Sequence, residues 1–460
     1  MHRWFYIGIW FDTITHYKVN SYMMQLQHLI KRIKSSDIGR RMASGAFWSF
    51  TGTALAKLIV LVAGIVCAHV LSKQEYGEFG LVRSTISMFV VFGAAGLGVT
   101  ASKYISQYRS DSPERIPSIY LLTNGFAWVT GSIMAVIVIL SAPYIANDLL
   151  HADYLTNAIR VGALLLFVTV LNGAQNGTIT GFEDFKSIAI NTLIGSVFES
   201  VFMILGAYKF GVIGAVLGYG TGYIALYICN YISIVKLFNC YDLSRSFRNF
   251  SKKDVSLLYK YSLPAMLSSL VVAPTYWALR TMLASNAGFE ELALYEAADQ
   301  WKIIMMFIPS TLSSIILPIL SSVQSEGYDK FWKVLKINLL LNGGISLCVA
   351  IAVSLFSPII MHLYGSNYVG GELTIIVLAI STIFAATSNV VGLSIYSTAK
   401  MWTGFLFNTI WALLTLLFGF IFVKNNMGAL GIALAITIAY ILHSIYQFAY
   451  LYISIKNKMI

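Results

Sequence analysis

Seven ionisable residues stand inside long apolar stretches of this chain: Lys57, Arg83, Arg160, Glu199, Arg280, Asp299 and Lys302. A charge at the centre of a bilayer costs roughly 2.5–3.5 kcal/mol on insertion scales, so such a group normally faces a cavity or a partner. Their types divide the chemistry. Arg grips phosphate oxygens bidentately and Lys offers a compact point charge, so a chamber lined by these cations would attract a phosphate or pyrophosphate. Lys57 and Glu199 sit near the middle of their stretches. There, Glu199 is placed either to pair with Lys57 or to carry a coupling proton. Arg83, Arg160, Arg280 and Lys302 sit nearer the ends, where each could instead snorkel its head to the interface. Asp299 and Glu296 lie at that same level and neutralise part of the positive charge.

The elements that must position these residues are membrane helices. A span needs roughly 20 mostly apolar residues, and about twelve such segments run through the chain: 46–71, 79–101, 118–141, 157–179, 187–208, 211–235, 261–284, 298–323, 337–360, 372–396, 404–423 and 428–453. The composition agrees, at 57% hydrophobic and 11% charged residues, against about 25% charged in soluble domains. Mean hydropathy is +0.73. No soluble domain remains once the spans are removed. The net charge of +11 does not point to nucleic acid, because Lys and Arg concentrate in alternate loops. With the N-terminus inside, the inner segments hold 23 of them, the outer loops three (Lys73, Lys209, Lys424), and five fall within spans. The positive-inside rule then places both termini in the cytoplasm.

Residues 1–45 form a cytoplasmic tail, with Lys31, Arg32, Lys34, Arg40 and Arg41 suited to a lipid surface. Trp4–Phe11 is too short to span, and no signal-peptide cleavage site follows it. Residues 1–23 read equally well as an upstream-start extension, with Met24 as the natural start.

The second half echoes the first at a fixed offset. Asn191-Thr192-Leu193-Ile194 corresponds to Asn408-Thr409-Ile410-Trp411, Gly211 and Gly214 to Gly428 and Gly431, and Tyr223-Ile224 to Tyr440-Ile441, all 217 residues apart. Six spans per repeat predict two lobes of like orientation, residues 46–235 and 261–453. A basic linker of residues 236–260 joins them, and a short tail of residues 454–460 follows. Transporters built this way bind at the repeat interface and rock the halves. Gly214, Gly218 and Gly222 mark a small face for close helix approach. Pro264, Pro274, Pro309 and Pro318 fall in spans seven and eight, where each removes a backbone donor. They are read as kinks of a mobile gate or as static bends.

Signals for catalysis are missing. The histidines are scattered, with no HExxH, P-loop or GxSxG, and the run from Gly93 to Gly98 is GAAGLG rather than a dinucleotide fingerprint. The four cysteines show no metal spacing and read as free thiols. No enzyme activity, metal or cofactor is expected.

Several segments resemble a known family. Ala46-Phe-Trp-Ser-Phe-Thr-Gly52, Tyr76-Gly-Glu-Phe-Gly80 and Leu81-Val-Arg-Ser84 are similar to those of bacterial Wzx-type polysaccharide-unit flippases. So are Gly96-Leu-Gly98, Ala101-Ser-Lys-Tyr104 and the stretch from Asn176 to Lys186. These proteins belong to the multidrug/oligosaccharidyl-lipid/polysaccharide exporter superfamily. The resemblance implies an all-α membrane protein of two six-helix lobes with alternating access and a cationic cavity. It implies a cargo of oligosaccharide on undecaprenyl pyrophosphate, moved across the bacterial cytoplasmic membrane for surface polysaccharides such as O-antigen. A polymerase and chain-length machinery would act on the product. The competing readings are an ion-coupled drug or metabolite antiporter of the same superfamily, and a membrane polymerase or acyltransferase. The excess of intramembrane cations favours the flippase over a pump for cationic drugs. The missing external loop and catalytic His disfavour an enzyme.

Overall fold

The structure, a computed structural model, describes residues 37–94, 96–243, 263–313, 320, 327–397 and 400–456. Residues 1–36, most of the basic linker and Pro318 lie outside them, as does the side chain of Pro264. Every regular element among the described residues is helical. The main helices are α1 (Asp37–Val70), α2 (Lys73–Ala94), α3 (Leu97–Asp111), α4 (Ile116–Pro143), α5 (Thr156–Gly181) and α6 (Phe185–Cys240). After the linker come α7 (Leu263–Ala287), α8 (Phe289–Met305), α9 (Tyr328–Leu355), α10 (Ser357–Leu363), α11 (Glu372–Ser397), α12 (Met401–Lys424) and α13 (Gly428–Lys456).

Helix α6, at 56 residues, would be about 84 Å long if straight, far more than one bilayer. It reverses instead. Phe210 leaves helical geometry and Gly211 takes φ 57°, a left-handed conformation that a side chain disfavours. The two arms then run antiparallel in close contact. A Cβ on Gly206 would sit 2.1 Å from the Gly214 carbonyl, and one on Gly218 2.2 Å from the Phe202 carbonyl. The glycine stripe of span six therefore packs on span five of the same lobe.

Among the described residues eight helices are long and apolar enough to cross a membrane, and the α2–α3 pair, bent by 44°, makes nine. Counting α6 as two crossings makes ten, consistent with about twelve spans. The boundaries shift. Span two is broken near Gly96 (φ 68°), α8 starts at Phe289 rather than residue 298, and α6 carries the first residues of the linker as helix to Cys240. The helix after Met305 breaks at Met306 before resuming over 307–313. Pro309 explains this, because its missing N–H cannot bond the carbonyl four residues earlier. Pro274, in contrast, lies within an unbroken α7.

Helices α1–α6 pack on one another, as do α7–α13, and the two lobes meet chiefly where α2 lies against α7 and α8. The repeat reaches into detail. Gly428 has φ 51° and Gly211 φ 57°, so each lobe makes its last tight turn at the same repeat position. Both turns are met by an acid from the second helix of their lobe. Glu75 Oε1 lies 3.2 Å from where a Gly211 Cβ would stand, and Glu291 Oε2 accepts a hydrogen bond from the Ala429 N–H at 2.8 Å.

Candidate functional site

Between the lobes lies a cavity of about 630 Å³. Helical periodicity builds its walls. Helix α1 turns Thr53, Ala56, Lys57 and Val60 inward, the first arm of α6 turns Thr192, Ser196 and Glu199, and the second arm Tyr219 and Tyr223. Helix α2 presents Arg83, α7 presents Tyr276 and Arg280, and α8 presents Glu296, Asp299 and Lys302. Groups that the sequence placed at two depths thus share one chamber.

One end of the interface is sealed. A Cβ on Gly77 would stand 2.0 Å from the Phe289 carbonyl, so the backbones of α2 and α8 touch. Tyr76 packs edge-on against Tyr364 and Tyr368, with centroids 6.3 and 6.1 Å away. His69 Nε2 donates to the Leu363 carbonyl at 2.8 Å, and Trp277 Nε1 donates to Thr85 Oγ1 at 3.0 Å. The cavity runs from this seal toward the half of α1 that carries Thr53.

An ion network crosses the seal's inner face. Arg83 Nη2 reaches Glu296 Oε2 at 2.9 Å, and Arg280 Nε holds the other carboxylate oxygen at 2.5 Å. Arg280 Nη2 continues to Asp299 Oδ2 at 2.6 Å, and Asp299 Oδ1 meets Lys302 Nζ at 2.6 Å. These side chains are mostly buried; Arg83 is the most open at 21%. Paired charges in such a setting tolerate desolvation only because each partner is present. Lys57 and Glu199 face the same chamber, and no ion pair joins them among the described residues. Among the described residues four cations therefore face three acids, a surplus of one positive charge.

Arg160 departs from the sequence expectation and lies outside this chamber. It is exposed on α5, beside Leu164 at 60% exposure, while Ile159, Ala163 and Leu166, to one side of it around the helix, are buried. The helical phase of α5 aims it outward, in the snorkelling position. Pro274 is half-buried and Pro309 buried, and neither lines the main cavity. Glu296 does more than neutralise charge: its ion pair with Arg83 crosses between the lobes. Its spacing with Asp299 and Lys302, each three apart, already put the three on one helix face. Tyr223, paired with Tyr440 by the repeat, lines the cavity beside Tyr219, a role the sequence pattern alone does not signal.

The family profile described as polysaccharide biosynthesis protein matches residues 42–324. The chain belongs to that family. Among relatives of this polysaccharide biosynthesis protein is the EPS I polysaccharide export inner membrane protein EpsE of Ralstonia solanacearum. It is 23% identical over 384 residues, covering 83% of this chain and 87% of that one. The lipid III flippase of Escherichia coli K12 is 23% identical over 292 residues, 62% and 68% of the two chains. Among solved structures, an inward-facing multidrug resistance MATE family transporter of the MOP superfamily superposes with TM-score 0.76. It is 17% identical and covers 87% of this chain and 95% of that one. A MOP superfamily transporter from Pyrococcus furiosus, described as having a binding pocket of reversed polarity, gives 0.70 at 17% identity over 90% and 95%. These likenesses establish the MATE-type transporter fold for this family member. The named relatives are exporters and flippases, transporters rather than enzymes, and the chain is a multi-span membrane protein.

Proposed function

We propose that this protein is a flippase that moves oligosaccharide repeat units, linked to a polyprenyl pyrophosphate, across the bacterial cytoplasmic membrane for surface polysaccharide synthesis. The observation that carries the reading is the electropositive chamber between the lobes, closed at one end, with Lys57 in no ion pair among the described residues and Arg83 facing the space. A pyrophosphate is a dense anion with several acceptor oxygens, and charge-assisted bonds from Arg and Lys suit it. The glycan's polar bulk would cross inside the chamber while the polyprenyl tail stays in lipid. The names of the polysaccharide-export and lipid III relatives support this choice of cargo.

With both termini cytoplasmic, as the loop charges indicate, the sealed end faces outward and the chamber belongs to the loading state. Arginine and lysine accept the headgroup, the seal opens, and the lobes close behind it. Glu199 supplies a carboxylate for a coupling ion or proton. The break at Met306, beside Pro309, lets span eight flex as a gate. A polymerase and chain-length machinery would receive the product.

Purified protein in proteoliposomes, offered a fluorescent polyprenyl-pyrophosphate glycan, should expose the glycan to an enzyme on the far side in a protein-dependent manner. Transport of cationic drugs without any glycolipid movement would favour an ion-coupled antiporter and refute the proposal.

A further inference from the structure

A second space of about 260 Å³ opens from the main chamber into the second lobe. The two share Lys57, Tyr276, Lys302 and Ile303 as lining, so the second is a branch of the first. Beyond the lysines its polar walls are hydroxyls: Ser310, Ser381, Thr382 and Tyr440. Three of them have already placed their protons. Ser310 donates to the Phe307 carbonyl at 2.9 Å, and Ser381 and Thr382 donate to the Leu378 and Ala379 carbonyls at 2.6 Å each. Their remaining capacity toward the space is as acceptors. Tyr276 and Tyr440 add aromatic surface and share one hydroxyl contact at 3.3 Å.

The two lobes differ here. Tyr223 and Tyr440 are repeat equivalents, yet the first lobe carries Glu199 beside its tyrosines, and the equivalent position in the second lobe is Leu416. Among the described residues no carboxylate lines the branch itself; the nearest, Asp299, holds Lys302 at the mouth at 2.6 Å. A lining of hydroxyl acceptors, aromatic surface and cationic donors at the mouth suits a ligand rich in O–H donors, with an anion attached at one end.

We infer that this branch is a glycan subsite: it takes the sugar nearest the pyrophosphate, whose phosphates rest at the mouth between Lys57 and Lys302. This rests on the flippase reading. The subsite makes the site selective for the glycosylated lipid over the bare carrier, because buried hydroxyl acceptors reward a ligand that pairs with them.

The test uses full-length protein in nanodiscs and three probes: undecaprenyl pyrophosphate, the same lipid bearing one hexose, and free hexose. Wild type should bind the glycosylated lipid at least about tenfold more tightly than the bare one. Ala385→Phe, which fills the branch, should erase that preference while binding of the bare lipid persists. Thr382→Val, a near-isosteric change, should reduce the preference in a protein with unaltered thermal unfolding. Free hexose should bind weakly and compete only with the glycosylated lipid. Equal wild-type affinity for the two lipids, or a preference that survives both substitutions, overturns the subsite while leaving the flippase reading intact. Absence of binding to either lipid overturns both.

Discussion

Arg83 on α2 and Glu296 on α8 meet at 2.9 Å across the lobe interface. Each side of the contact belongs to a different lobe, so opening that end must separate them. Glu296 keeps a partner when that happens, because Arg280 of its own lobe holds the other oxygen. Arg83 does not, and an anion in the chamber is the natural replacement. The pair thus links the position of the lobes to occupancy of the site.

Glu296→Gln weakens that link and leaves Arg83 and Arg280 without their shared carboxylate. Breaking a buried pair costs about 3–5 kcal/mol, so the variant should unfold at a lower temperature. Spin labels at Ser72 and Glu290, both exposed near the sealed end, should show a longer and broader distance distribution than in wild type. An unchanged distribution would show that the pair does not hold the seal.

Arg83→Ala should lower surface glycan or reconstituted flipping by about tenfold or more, as expected for loss of one charge-assisted contact worth about 1.5–3 kcal/mol. Protein abundance and membrane insertion should stay normal. Full glycan output at normal abundance would remove Arg83 from the ligand set.

Glu199 faces the cavity without an ion pair among the described residues. Glu199→Gln preserves shape and removes the ionisable group. Flipping in proteoliposomes should then lose its response to an imposed pH or sodium gradient. A gradient response equal to wild type would exclude Glu199 as the coupling group.

Gly211→Ala and Gly428→Ala test the paired turns. A side chain in the left-handed region costs roughly 1–2 kcal/mol. At Gly428 the added Cβ would also stand 2.2 Å from Glu291 Oε2, so this variant should be the less stable of the two. Thermal unfolding in detergent checks the order, and equal or raised stability would contradict the repeat geometry.

Orientation is tested by Lys253→Cys in the central basic segment. An impermeant maleimide should label it only after the inner face is exposed. Labelling of intact cells from outside would reverse the topology.

The chain by itself determined the lipid setting, the span rhythm and the two-lobe repeat, because apolar length and loop charge act locally. Gly211 and Gly428 could be paired by counting, and the structure gave them matching conformations. The cavity membership of individual charges was decided only by the tertiary structure. In a soluble helix, polar residues mark the outward face. In a membrane helix the lipid side is as apolar as the packed side, so the pattern carries little phase information. Arg160 and Arg280 therefore look alike in sequence, yet one points to the surface and the other lies in an ion network with Glu296 and Asp299. The partnership of Arg83 with Glu296 joins residues 213 positions apart, and it exists only because the second helix of each lobe packs against the other.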